Sequence, residues 1–385
     1  MIDHRIIHAC ETPAFIIDLR MLRSNTDSIK RFATSAGCKT LYSMKALTLR
    51  DTLTMAAGQL DGFSTSSLSE ARLARETGGN DVEVSHVSPL VRETEVREIG
   101  SLCDTVIFNS LSQLNRFSDQ LGKSSRIGIR INPRQSFAAD EKSDPCRHES
   151  KLGVPLETFA WESHRFDRIS GLHFHTNRHS HNAHELIATI ELIENHLSDQ
   201  LGRFEWLNVG GGYMFDDAQS NDAASEKLRQ LSDRYDLEII IEPGSALVAT
   251  AGCFVSTVQD ITQNNNRTIA LLDMTVNHWP ELFEYQLTPT VEDTVADGHE
   301  YLLAGCSCVP GDVFGVHAFA NRLSLGDRMV FSDAGAYSIA KAHTFNGIDL
   351  PTIYVVDESG ELERVKQFTY EEFISRCGIE STRQI

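Results

Sequence analysis

Between residues 14 and 242 the chain alternates short apolar, β-branched runs with longer stretches whose apolar residues recur every three or four positions, the periods of strand and amphipathic helix. The first run, Ala-Phe-Ile-Ile-Asp at 14–18, leads into an amphipathic segment from residue 19 to about residue 36. Eight further runs follow at 40–44, 62–65, 82–87, 105–109, 126–131, 169–175, 206–209 and 238–242, with helical patterns between most of them. This repetition predicts an α/β fold built on a parallel (β/α)8 TIM-like barrel. The roughly 230 residues involved suit a fold that usually takes about 250. Helix starts agree: Ser66-Ser67-Leu68-Ser69-Glu70 sets serine caps and an early acid ahead of an apolar-periodic run.

The pattern changes near residue 250. Short alternating runs at 253–258, 268–272, 328–331 and 352–356, separated by turns rich in Asn, Asp and Gly, predict an antiparallel β domain. The expected organisation is a barrel over 13–250 followed by a C-terminal antiparallel β domain over 251–385, with residues 1–12 packing on the latter.

Composition adds limits. A chain of 385 residues, 41% of them hydrophobic, has room for two domains with large cores. A formal charge of -19 argues against nucleic acid or an anionic membrane surface as partner. No apolar run reaches the roughly 18 residues of a membrane span, and the first residues lack the apolar core of a signal peptide, so a soluble cytoplasmic protein is expected. The 8 cysteines include no CxxC pair, Cys306 and Cys308 being one residue apart, and they are expected to be reduced.

Candidate chemistry gathers at strand ends, where barrel enzymes keep their active sites. Lys45 ends the first predicted barrel strand and His175 the sixth. Gly210, Gly211 and Gly212 follow the seventh, and Glu242 ends the eighth, ahead of Pro243 and Gly244. Singly, each has a plain reading: a surface lysine, a core histidine, a flexible turn. Together they offer an amine for an aldehyde, backbone amides that can approach a phosphate because no Cβ intervenes, and a carboxylate for a ring nitrogen, which is the donor set for pyridoxal 5'-phosphate. His173 and His175 share one face of a strand. Because His179, His181 and His184 fall in loop and helix, no third ligand is evident and no metal site is expected.

The segments TPAFIID (12–18), YSMKA (42–46), SSLSEARL (66–73), GLHFH (171–175), EWLNVGGGY (205–213), IEPG (241–244), CVPGDVFG (308–315) and GAYSIAKAHTFNGI (335–348) occur in order along nearly the whole chain. With them the chain resembles the fold-type III pyridoxal phosphate decarboxylases of the alanine racemase and ornithine decarboxylase superfamily, and within these the carboxynorspermidine/carboxyspermidine decarboxylases. The resemblance implies that Lys45 bonds the cofactor covalently, that His175 stacks on its ring, and that Glu242 pairs with its pyridine nitrogen. It further implies that Gly210, Gly211, Gly212, Gly244, Ser245 and Tyr337 hold the cofactor. Cys308 is implied to cross a homodimer interface and reprotonate the substrate carbon, and Asp312 to face the substrate's distal amine. The implied activity is removal of the α-carboxylate of a carboxylated polyamine.

Departures from the family pattern cluster where substrate would lie. Ser245 follows the EPG turn, Thr176-Asn177-Arg178-His179-Ser180 follows HFH, Val316-His317 follows GDVFG, and Ser64 stands where many members carry an acid. Arg178, if it faces the cleft, would suit an extra carboxylate better than a polyamine tail. The alternative is therefore a diverged decarboxylase of another amino acid or amino-acid conjugate. A racemase or a non-catalytic cofactor binder on the same scaffold stands further back.

Overall fold

The computed structural model describes residues 2–122, 125–138, 140–162 and 168–379. The chain forms two compact units, Arg23–Leu247 and a second made of Met1–Leu22 with Val248–Ile385. Of the strands, β1 (Ala14–Asp18) belongs to the second unit. The first holds β2 (Cys38–Ser43), β3 (Gly62–Thr65), β4 (Glu83–Val87), β5 (Thr105–Phe108), β6 (Arg126–Asn132), β7 (Val154–Pro155), β8 (Gly171–His173), β9 (Trp206–Asn208) and β10 (Glu238–Ile241).

Eight of these strands close the expected barrel. Its order is β2-β3-β4-β5-β6-β8-β9-β10, every neighbour is parallel, and Ile241 of β10 sits opposite Thr40 of β2. The short β7 pairs with β6. The expected run 169–175 pairs over Gly171–His173 alone. After Phe174, whose N–H still reaches the Asn208 carbonyl at 3.0 Å, the chain leaves the sheet and carries His175 onto the rim.

Toward its N-terminal end the barrel is filled by Trp206, packed with Leu41, Ile107 and Ile240, all fully buried. The indole fits because Gly128 and Gly171 face it, and a Cβ at either position would overlap its ring. Its Nε1–H donates to Ser170 Oγ at 3.1 Å, so the buried ring keeps a polar partner. Charges at the same end alternate in sign. Lys39 meets Glu83 at 3.0 Å and Glu238 at 2.7 Å, and Arg126 meets Glu238 at 2.7 Å and Glu83 at 3.5 Å. This end is devoted to stability, which leaves the opposite rim for chemistry.

The helix Leu68–Gly78 begins as its sequence suggests: Ser67 Oγ accepts the Glu70 N–H at 3.1 Å, and Glu70 Oε2 accepts the Ser66 N–H at 2.6 Å.

In the second unit the sheet is mostly antiparallel. Its strands are β11 (Gly252–Asn264), β12 (Arg267–Leu272), β13 (Thr294–Ala304), β14 (Val313–Phe319), β15 (Arg328–Phe331), β16 (Thr352–Val356) and β17 (Leu362–Lys366). The order is β14-β13-β12-β11-β1-β16-β17, with β15 also on β11; β1–β16 and β12–β13 are parallel. The 14–18 run, expected within the barrel segment, is central here, antiparallel to β11 and parallel to β16. All five of its residues are buried, as befits a strand covered on both faces. The helix His4–Ala9 is capped by the Asp3 side chain and sets Ile6 and Ile7 into a cluster with Cys10, Ala14, Ile16, Val255 and Val330.

Candidate active site

Lys45 stands in a single 3-10 turn, Met44–Ala46, directly after β2. The buried Tyr42 hydroxyl donates to the Leu47 carbonyl at 2.8 Å and closes the chain around the lysine. The Ser43 N–H donates to the Pro243 carbonyl at 3.0 Å, which ties the end of β2 to the EPG turn after β10. Lys45 and Glu242 are thus carried on neighbouring strand ends.

Glu242 is buried, at 5% exposure. Asn208 Nδ2 donates to its Oε1 at 2.7 Å, and His173 Nε2 lies 3.4 Å from its Oε2. Burial opposes the charge, but His173, Asn208 and Lys45 outweigh it and hold the carboxyl below its usual range. His173, sealed in the barrel, is itself lowered by burial against the opposing pull of Glu242. Among the described residues its Nδ1 has no hydrogen-bond partner.

The same Asn208 accepts the Gly210 N–H at its Oδ1, 2.9 Å away, and the Gly210 carbonyl accepts the Glu242 N–H at 2.7 Å. Gly210 and Gly212 have φ of +69° and +92°, the region that favours glycine. A Cβ at Gly210 would strike the Phe174 carbonyl, one at Gly211 the Glu242 carbonyl, and one at Gly212 the Asn177 carbonyl. The Gly211 N–H donates to His175 Nδ1 at 3.1 Å. His175 is held far below its ordinary pKa by burial and by the charges of Lys45 and Arg130, so its neutral ring carries the proton on Nε2.

Lys45 is exposed at the rim, with protein packed around its amine. That desolvation, with the positive charge of Arg130, lowers its pKa against the opposing pull of Glu242 and Glu70. Burial brings Arg130 down to about 10, still fully charged at neutral pH. Arg130 and Asn208 are site residues that sequence reasoning missed. The signal for Arg130 was a lone inner charge in the strand Arg-Ile-Gly-Ile-Arg-Ile-Asn; for Asn208 it was a polar residue just before the triple glycine.

The segment after His175 is laced to the glycine loop. Ser180 N–H donates to the Gly212 carbonyl at 2.7 Å and Met214 N–H to the Ser180 carbonyl at 2.8 Å. Glu185 accepts from Asn177 Nδ2 at 2.7 Å and from Ser180 Oγ at 2.6 Å. His179, at φ +52°, reaches across to Ser245, with Nε2 and Oγ 2.9 Å apart. Arg178 is half-buried in this segment, and Gly244 is buried in the EPG turn.

The remaining sequence candidates belong to the second unit. Cys308 is exposed in the loop between β13 and β14. Tyr337 is half-buried at φ +53°. Asp312 is turned into its own loop. It is 3% exposed, Oδ1 accepts the Val276 N–H at 2.8 Å, and Oδ2 accepts both the N–H and the O–H of Ser307 at 2.9 and 2.5 Å. Gly305 explains the burial, since a Cβ there would overlap the carboxylate.

The barrel mouth fits pyridoxal phosphate: a desolvated, water-reachable lysine, a buried carboxylate held ionised, and a glycine cradle too tight for any side chain. Such a set defines a pyridoxal phosphate enzyme. The family model for the pyridoxal binding domain of pyridoxal-dependent decarboxylases matches residues 22–249. A carboxynorspermidine/carboxyspermidine decarboxylase from Campylobacter jejuni is 32% identical, over 95% of this chain and 98% of its own. A carboxyaminopropylagmatine decarboxylase from Synechocystis is also 32% identical, over 98% of both. The crystal structure of Campylobacter jejuni carboxynorspermidine decarboxylase with norspermidine superposes at a TM-score of 0.86, with 30% identity over 95% of this chain and 100% of that one. The chain belongs to the pyridoxal-dependent decarboxylases, in the carboxynorspermidine/carboxyspermidine decarboxylase family.

Proposed function

We propose that this enzyme removes the α-carboxylate of carboxynorspermidine or carboxyspermidine and releases the polyamine. The observation that carries the reading is the placing of Lys45 and Glu242 on adjoining strand ends beside the glycine cradle, in a chain related over its full length to enzymes named for that substrate. When bound, pyridoxal phosphate supplies an electron sink for the pair released as carbon dioxide leaves.

The chain's own residues do the rest. Lys45, with its lowered pKa, is more readily a neutral amine and would hold the cofactor through its aldehyde. Glu242 stays anionic and would keep a proton on the cofactor's ring nitrogen. His175, neutral and pinned by the Gly211 N–H, offers its ring face to the cofactor. The amides of Gly210, Gly211 and Gly212, with Gly244 and Ser245, would take the phosphate. Cys308 breaks its S–H bond as the new C–H bond forms, and the thiolate recovers its proton from water. The protein works in the cytoplasm as a homodimer in which Cys308 serves the partner's site.

A second reading keeps the chemistry and takes carboxyaminopropylagmatine, supported by the equal identity to the Synechocystis enzyme. The test offers the purified, cofactor-loaded protein all three carboxylated amines and basic amino acids, and follows carbon dioxide and matching amine by mass spectrometry. Turnover of carboxynorspermidine or carboxyspermidine at least tenfold above the others is expected. Preference for the agmatine conjugate would install the second reading, and turnover of none of the three would sink both.

A further inference from the structure

The loop 305–312 between β13 and β14 is a closed clasp. The Gly305 N–H donates to the Asp312 carbonyl at 2.8 Å, and the Asp312 N–H to the Val309 carbonyl at 2.9 Å. Within it Ser307 turns inward, its N–H and O–H both donated to Asp312 Oδ2. Its neighbours Cys306 and Cys308 are left exposed on the outer side. Cys308 has a second tether, its N–H donating to Asn346 Oδ1 at 3.0 Å. Asn346 holds φ +58°, a conformation that asparagine tolerates better than most residues, and it lies in the FNGI segment.

Asp312 is buried among hydrogen-bond donors. A buried carboxylate keeps its orientation as long as those donors remain, because turning away would strand an unsatisfied anion. Ser307 is therefore held inward, and the outward side chain next in the chain is the thiol. We infer that Asp312 is a positioning residue for the decarboxylation: acting through Ser307, it fixes the side on which Cys308 presents its sulfur, while Asn346 fixes the Cys308 backbone. The inference rests on the proposed proton-donor role of Cys308.

The experiment compares Ser307→Ala, Ser307→Thr, Asp312→Asn and Cys308→Ala in the full-length, cofactor-loaded enzyme, with circular dichroism and melting temperature to check folding. Amide hydrogen exchange over 305–309 and the separate values of kcat and KM are read. Ser307→Ala is expected to speed exchange at Cys308 and lower kcat about tenfold, the equivalent of one lost hydrogen bond to a charged group, with KM within about twofold because the thiol acts after binding. Ser307→Thr, which keeps the hydroxyl, should recover most of the kcat. Asp312→Asn should follow Ser307→Ala if it folds; the serine pair decides the matter if it does not. Faster exchange with unchanged kcat, or a threonine variant as slow as alanine, would overturn the inference. Full activity in Cys308→Ala would instead remove the proton-donor role, a failure told apart because it leaves the exchange result standing.

Discussion

Asn208 donates to Oε1 of Glu242 at 2.7 Å while its own Oδ1 accepts the Gly210 N–H at 2.9 Å. One amide therefore fixes both the anion at the end of β10 and the first glycine of the cradle. Asn208→Ala should leave a buried carboxylate short of a donor, a loss of about 1.5–3 kcal/mol. The Glu242 pKa should rise and kcat fall roughly tenfold to a hundredfold. Steady-state kinetics against Glu242→Gln checks this; an alanine variant with wild-type kcat would remove Asn208 from the site.

Lys45 is lowered by desolvation and then by Arg130. A positive neighbour disfavours the ammonium, so deleting it must raise the lysine's pKa. The rate at which apoenzyme takes up pyridoxal phosphate, followed by the visible band, should rise with pH around a midpoint below the ordinary lysine value of about 10.4. In Arg130→Met the midpoint should move upward. A midpoint that stays or falls would contradict the electrostatic account. Lys45→Ala should show neither the yellow band nor its bleaching by borohydride.

Ser245 and His179 share one hydrogen bond, and burial holds His179 at about 4, so the ring is neutral across the working range. Ser245→Ala and His179→Ala should each weaken cofactor affinity by about three- to tenfold. The double variant should be little worse than either single one, because both remove the same bond. Additive losses in a fluorescence titration would show two independent roles.

Gly171 faces the Trp206 ring, so Gly171→Ala should lower stability by roughly 1–3 kcal/mol through overpacking. Pairing it with Trp206→Leu should return part of that loss. Thermal denaturation of both variants gives the comparison, and an unshifted single variant would mean that the ring has room to move.

The barrel and its rim were legible because residue type, strand end and chain order agree: Lys45, His175, the three glycines and Glu242 each close a run of strand character. Which sheet takes strand β1 was not legible, since an apolar pentapeptide reads the same whichever sheet covers it on both faces. The direction of Asp312 was equally hidden. Its burial depends on Gly305, seven positions earlier, and spacing says nothing about a side chain turning back on its own loop. Nor does any pattern announce that His179, a non-glycine, takes φ +52° and spans two rim loops to Ser245. Arg130 was visible as a charge inside an apolar strand, but its effect on Lys45 emerges only when the barrel brings the two together.

The tryptophan in the barrel floor has a bearing on how this scaffold can change over generations. Neither Gly128 nor Gly171 can accept a side chain while the indole is present, and losing the indole first would leave a void bounded by two residues with nothing to fill it. Any lineage that replaces this trio must pass through a weakened ancestor or alter several codons together, so the three positions should be inherited as a block even where the rim above them diversifies.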